Sequence, residues 1–394
     1  MKQLFAALTH TIGVRCDMKK TILLVMLVMT VFSICTFQYA CAEESNLAIS
    51  SFSAYLADAD GREIYSVNAD ERHQIASMVK IMTADLVFES IESGELTIDE
   101  KIIVSADAAG MGGSQMFLDA GAEYSVSDLL KGVIVASAND ASYALSERIS
   151  GSASAFVADM NDKAKSLGLQ NTLFANCTGL PSDGEQYSSA RDVNIMTREL
   201  MKHDLYFDYA SIWTEDYVHP SGRVTTLTNT NKLIRQYSGC RGGKTGFTED
   251  AGFCLSACAE RGGVEVVATI IGAADGKTRF AECSRLFNHA FANLTRHVEL
   301  EKGDEADAVV DVKGGKVKSV VPVASEQAAI TVMRGEKVSV EYQIYQVKAP
   351  LKAGDAVGKV VLTCGDIIKE FDLVSPVDVQ KATIWDRMRD LIGR

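Results

Sequence analysis

Hydrophobic and polar positions change their period several times along the chain, and each change marks an element. Two short alternating runs, 51–56 and 63–67, meet across Asp60-Gly61, a pattern that predicts a β-hairpin. At Ser77 the period lengthens to that of a helix, which begins Ile81-Met82-Thr83-Ala84-Asp85-Leu86-Val87. Residues 96–122 are polar and irregular, with Gly110, Gly112 and Gly113 close together. Helical spacing then resumes over 126–135, 141–149 and 156–167, and Tyr187-Ser188-Ser189-Ala190-Arg191-Asp192-Val193 caps a further helix that runs to Met201. Alternation returns at Lys244, and 252–259 and 264–271 read as strands paired across Gly262-Gly263. An amphipathic helix over 280–294 closes this first domain. Beyond it, short β runs at 308–312, 316–321, 328–333, 338–344, 357–363 and 367–373 predict a small all-β domain.

The two ends of the chain have a different character. Met18-Lys19-Lys20, an apolar stretch over 21–37 and the small-x-small tripeptide Ala40-Cys41-Ala42 predict a secretory signal peptide over 1–42, with an uncleaved anchor as the alternative. At the other end, 376–394 is expected to be an amphipathic helix. On a helical wheel Ile384, Leu391, Met388, Ile392 and Trp385 share an arc of about 120°. The expected domains are therefore a signal peptide (1–42), a catalytic domain (43–297), a β domain (298–375) and a membrane-anchoring tail (376–394).

Composition narrows the partners. The chain of 394 residues carries a formal charge of −13. Residues 1–42 hold four Lys/Arg and one Asp, so the remainder carries 35 − 51 = −16, which argues against nucleic acid as a partner. Six cysteines follow the signal segment: Cys177, Cys240, Cys254, Cys258, Cys283 and Cys364. They show no C-x-x-C pair and no zinc-like spacing; disulfides of an exported protein and small buried thiols both remain open.

Candidate chemistry centres on Ser77-Met78-Val79-Lys80. Three residues apart at a helix start, hydroxyl and amine share a face, and a serine needs a neighbour to take its proton. Lysine can do so when neutral, a state favoured by desolvation and by the positive end of a helix dipole. No Gly-x-Ser-x-Gly elbow is present, and of the six histidines only His73 lies near Ser77, in a loop where it is expected to face solvent. His-Glu-x-x-His is missing, and no metal or cofactor is implied. Gly243-Lys244-Thr245 ends like a phosphate-binding loop, but Ser238 stands where its first glycine is required and the segment leads into strands.

Ser77-x-x-Lys80, Ser137-Ala138-Asn139 and Lys244-Thr245-Gly246 occur in the order used by penicillin-recognising serine enzymes. With Gly113-Ser114-Gln115-Met116-Phe117-Leu118, Asn139-Asp140-Ala141 and Gly246-Phe247-Thr248, the chain resembles the D-alanyl-D-alanine carboxypeptidases, the low-molecular-mass penicillin-binding proteins. The resemblance implies an α+β fold: a penicillin-binding/β-lactamase-like transpeptidase domain, a sheet flanked by helices, followed by the small β domain. It implies Ser77 as nucleophile, Lys80 as base, Ser137 as proton relay and Asn139 as holder of the substrate amide. Lys244 and Thr245 would bind the terminal carboxylate, Gly246 would admit the substrate strand, and the N–H groups of Ser77 and Phe247 would form the oxyanion hole. The implied partners are a peptidoglycan stem peptide, β-lactams as covalent inhibitors and, through the tail, the outer face of the cytoplasmic membrane. A β-lactamase is disfavoured because no Glu-x-x-Leu-Asn lies between Ser137 and Lys244. A D,D-endopeptidase and a non-catalytic wall or β-lactam sensor are the alternatives.

Overall fold

The computed structural model describes residues 47–386 and 388; the signal-peptide expectation lies outside the described residues. The predicted hairpin forms from β1 (Ser53–Asp58) and β2 (Glu63–Val67), and a short 3-10 turn, Ala76–Val79, leads into helix α1 (Lys80–Glu92). α1 buries residues all round, including Ile81, Met82, Val87 and Phe88, as befits a helix passing through a core. Helices α2 (Val126–Val135), α3 (Asn139–Ser150) and α4 (Ala190–Leu200) follow. Ser125 caps α2 by accepting the Asp128 N–H, and Ser189 caps α4 by accepting that of Asp192, which is why both helices begin where their serines stand.

The sheet is completed by strands β3 (Cys240–Thr248), β4 (Gly252–Arg261) and β5 (Val264–Ala273), in the antiparallel order β2-β1-β5-β4-β3. β4 and β5 are buried on both faces because α4 and α5 (Gly276–Asn293) pack on the sheet. β3 is an edge strand, and this edge lies against the Ala76–Val79 turn. Asp275 caps α5 by accepting the N–H groups of Lys277 and Thr278.

α5 runs without a loop into a strand that the hydrophobic pattern misses, Leu294–Leu300, paired with Ala328–Met333. Its Thr-Arg-His-Val-Glu stretch is mostly half-exposed, so it lacks the apolar signal of a buried strand. The other expected β runs form, around two small cores. One contains Ile330, Val332, Val360, Leu362 and Leu373; the other contains Val310, Val312, Val320, Leu351, Val357 and Val379. An α+β domain followed by an all-β domain is thus what the chain builds. Arg62 of the β1–β2 hairpin grips Glu336 through both carboxylate oxygens, at 2.6 and 2.8 Å, and Lys369 pairs with Asp60 at 2.7 Å. That guanidinium holds the Glu336 carboxyl down at about 2.

The tail differs from its expected boundary. Val379 is buried and bridges Leu351, and the Ala382 N–H donates to the Gly314 carbonyl, so 376–382 is tied to the β domain. Helical backbone begins at Ile384, where Ile384 and Trp385 are about three-quarters exposed (75% and 76%).

Candidate active site

Ser77 sits on the 3-10 turn, and the turn is held from two sides by glycines. Ala76 adopts φ +47°, an unusual left-handed conformation for a residue with a side chain. A Cβ on Gly179, itself at φ +82°, would stand 2.0 Å from the Ala76 carbonyl oxygen; one on Gly246 would stand 2.4 Å from that of Ile75. Only glycine lets both backbones close on the nucleophile turn. Gly246, expected to admit a substrate strand, is thus already required by the protein's own backbone.

Lys80 opens α1 and is 1% exposed. Its Nζ lies 3.0 Å from Ser77 Oγ, 2.5 Å from Asn139 Oδ1 and 2.6 Å from the Thr178 carbonyl. A neutral amine fits these three partners: two N–H bonds donate to the amide and carbonyl oxygens, and the lone pair is left for the serine proton. Burial lowers the Lys80 pKa to about 7, with Cys177 and Asp140 pulling weakly the other way. Desolvation thus moves this amine toward its neutral form, and no histidine lies among its hydrogen-bond partners in the described residues. His73 forms a backbone bridge to Ser188 and sets its half-exposed ring 4.7 Å from that of Phe52.

Ser137 occupies the turn between α2 and α3 with φ +60°, and its Oγ accepts a 2.7 Å hydrogen bond from Lys244 Nζ. Asn139, at the start of α3, is fixed by its N–H to the Ser114 carbonyl (2.7 Å) and by Nδ2 to that of Gly112 (2.6 Å). Its neighbour Asp140 accepts the N–H groups of Met116 and Leu118, so one α3 terminus organises the whole 112–118 loop. Lys244 and Thr245 are each 5% exposed on β3, and Thr245 Oγ1 donates to Thr230 Oγ1 at 2.7 Å. Burial first, then Lys80 and Arg279, push the Lys244 amine well below its ordinary value. Among the described residues no carboxylate lies within ion-pair distance of either lysine. The Phe247 side chain points outward and stacks on Phe253, ring centroids 4.3 Å apart.

All three motifs therefore converge on one cleft. Sequence reasoning missed the Thr178 carbonyl, Gly179, Thr230 and Arg279, which donates to the carbonyls of Gly246 and Cys254. The signal for the first two was the Asn176-x-x-Gly179-Leu180-Pro181 segment: Asn176 Oδ1 accepts the N–H groups of Thr178 and Gly179 and so shapes the loop. The six described cysteines are free thiols, and Cys177 is buried behind Lys80. Among the described residues no three His, Cys, Asp or Glu side chains converge as metal ligands would.

A family model described as D-alanyl-D-alanine carboxypeptidase matches residues 40–275, and one described as the C-terminal domain of penicillin-binding protein 5 matches 298–381. The chain is 39% identical to the D-alanyl-D-alanine carboxypeptidase DacF of Bacillus subtilis over 356 residues, 89% of this chain and 91% of that protein. It is 32% identical to DacC of Escherichia coli, covering 85% of each. Among solved structures, penicillin-binding protein 5 of Haemophilus influenzae aligns with a TM-score of 0.64 at 30% identity, over 84% of this chain and 98% of that one. The fold is thus the penicillin-binding transpeptidase-like domain followed by its β domain, and the chain belongs to the D-alanyl-D-alanine carboxypeptidase family.

Proposed function

We propose that this chain removes the terminal D-alanine from peptidoglycan stem pentapeptides through an acyl-enzyme on Ser77. The observation that carries the reading is the buried, partnered Lys80 amine, 3.0 Å from Ser77 Oγ. Lys80 takes the Ser77 proton as Oγ attacks the carbonyl between the two D-alanines. The N–H groups of Ser77 and Phe247 receive the developing oxyanion, a contribution of about 3–4 kcal/mol per donor in comparable sites. Ser137, hydrogen-bonded to Lys244, passes a proton to the departing amine while Asn139 holds the substrate amide. Lys244 and Thr245 meet the terminal carboxylate, an anion that would favour the protonated form of an amine with no carboxylate partner among the described residues. Water then cleaves the ester. A β-lactam follows the same first step, but its leaving group stays tethered and the ester persists.

The test is release of D-alanine from a pentapeptide ending in D-Ala-D-Ala, followed by mass spectrometry as a function of pH. Since the attacking serine needs a neutral lysine, acylation should rise with pH through about 7 and then level off. A rate still climbing toward pH 10 would mean that Lys80 keeps its ordinary pKa and is not the base. No D-alanine at any pH, with penicillin still bound covalently, would favour a sensor; cleavage confined to cross-linked dimers would favour an endopeptidase.

The same reading places the enzyme outside the cytoplasm, exported by the 1–42 segment and held at the membrane by its tail. The exposure of Ile384, Trp385 and Met388 supports this, since a stripe meant for the protein's own β domain would be covered. Among the described residues no helix is long and apolar enough to cross a membrane. Truncation after Ala382 spares the buried Val379 and should move signal-cleaved protein from the membrane pellet to the soluble fraction, with peptide cleavage nearly unchanged. A truncated protein that still pellets completely would show that the tail is not the anchor.

A further inference from the structure

At the root of the tail the β domain presents a charge opposite to that of the body. Strand Val310–Lys313 turns through Gly314-Gly315-Lys316-Val317-Lys318 into Ser319–Val320, and it pairs in parallel with Val347–Lys348, which sets Lys313 beside Lys348. Gly315 bridges Lys381, and the Lys316 N–H donates to the Gln380 carbonyl at 2.8 Å. Lys313, Lys316, Lys318, Lys348 and Lys381 are all exposed in this small area. The acidic residues of the same segments are Asp311, Asp378 and Asp386. Asp378 accepts the Ala353 N–H, and the Asp386 carboxylate accepts the N–H and hydroxyl of Thr383. Among the described residues Lys313 and Lys316 reach side-chain amides, Gln346 at 3.4 Å and Gln380 at 3.2 Å, which bring no charge to offset their own.

The turn is also rigid and apolar at its tip. Val312 and Val379 pack beneath it, and a Cβ on Gly315 would meet the Val317 carbonyl at 2.5 Å and a Val379 methyl at 2.8 Å. Val317 itself is 47% exposed between two lysines, on the turn whose Gly314 carbonyl accepts the Ala382 N–H two residues before the exposed Ile384.

We propose that the 313–318 turn, with Lys348 and Lys381, is a second membrane contact that seats the β domain on anionic lipid beside the tail; this rests on the reading of the tail as an interfacial anchor. The charge complements an anionic headgroup layer, whereas the rest of a chain of net charge −13 would be repelled by it. The exposed valine and tryptophan select a bilayer over a soluble anionic polymer, which has no apolar layer for them to enter.

The experiment compares the chain from Glu43 to Arg394, its Lys313→Glu/Lys316→Glu/Lys318→Glu variant, and the chain ending at Ala382. Each is titrated with phosphatidylglycerol vesicles, phosphatidylcholine vesicles and purified wall polymer, with penicillin labelling as the check on folding. The triple variant should bind anionic vesicles roughly 10- to 100-fold more weakly and phosphatidylcholine about as before, because each lysine at an anionic surface contributes several-fold. The truncated chain should keep a weak, salt-sensitive affinity for phosphatidylglycerol that the triple substitution removes. If the triple variant binds like wild type while truncation abolishes binding, the turn is not a contact and the tail reading stands alone. If truncation changes nothing while the triple variant loses binding, the turn is the contact and the tail reading fails. Lysine-dependent binding to wall polymer but not to vesicles, or no vesicle binding by any form, overturns the proposal.

Discussion

Ser77→Ala is expected to abolish both D-alanine release and covalent labelling by a fluorescent penicillin, with turnover falling roughly 10⁴-fold or more. The fold should survive, because Ser77 is half-exposed and the turn that carries it is shaped by Ala76, Gly179 and Gly246. Removing Oγ leaves the Lys80 amine with Asn139 and Thr178 but takes away the atom proposed to carry the acyl group. The measurement is gel fluorescence after penicillin exposure together with mass spectrometry of the intact protein. A variant that labels at the wild-type rate would place the acyl group on another residue and undo the central assignment.

Lys244→Ala should reduce cleavage of a peptide with a free C-terminus about 100-fold or more, while an ester or amide analogue of the same peptide suffers much less. Truncating one partner of a buried, hydrogen-bonded charge pair costs about 2–5 kcal/mol, and the pair exists only when the substrate brings a carboxylate. The contrast matters because Lys244 Nζ also donates to Ser137 Oγ at 2.7 Å. Equal losses on both substrates would mean that this hydrogen bond serves proton transfer and that carboxylate recognition lies elsewhere. Parallel kcat and KM measurements on the two substrates separate these outcomes.

Much of this arrangement was legible in the sequence because the chemistry is written in short local strings. Ser77-x-x-Lys80 is a single turn, and the three-residue offset by itself brings Oγ and Nζ together. Helix α2 runs over the expected residues because Ser125 caps one end and the apolar spacing fills the other. What one string cannot carry is the long-range partner. The Thr178 carbonyl is a backbone group with no side-chain signature, and the reason for glycine at 179 appears only when Ala76 lies against it. The strand Leu294–Leu300 escaped for a related reason: it is half-exposed and borrows its β character from pairing with Ala328–Met333. The start of the tail carries little strand signal, a brief Val377-Asp378-Val379 alternation, yet Val379 fills a core built from four other segments.

The hydrogen bonds of the two buried lysines span long stretches of chain. Lys80 meets Asn139 across 59 residues of chain and Thr178 across 98, and Lys244 reaches back to Ser137 across 107. None of these contacts is local, so each requires the chain to close a long loop before it can form. The centre therefore exists only where distant parts of the chain are held together, and no short segment carries it. An unfolded chain would carry the same serine and lysines without the arrangement that sets Lys80 Nζ 3.0 Å from Ser77 Oγ.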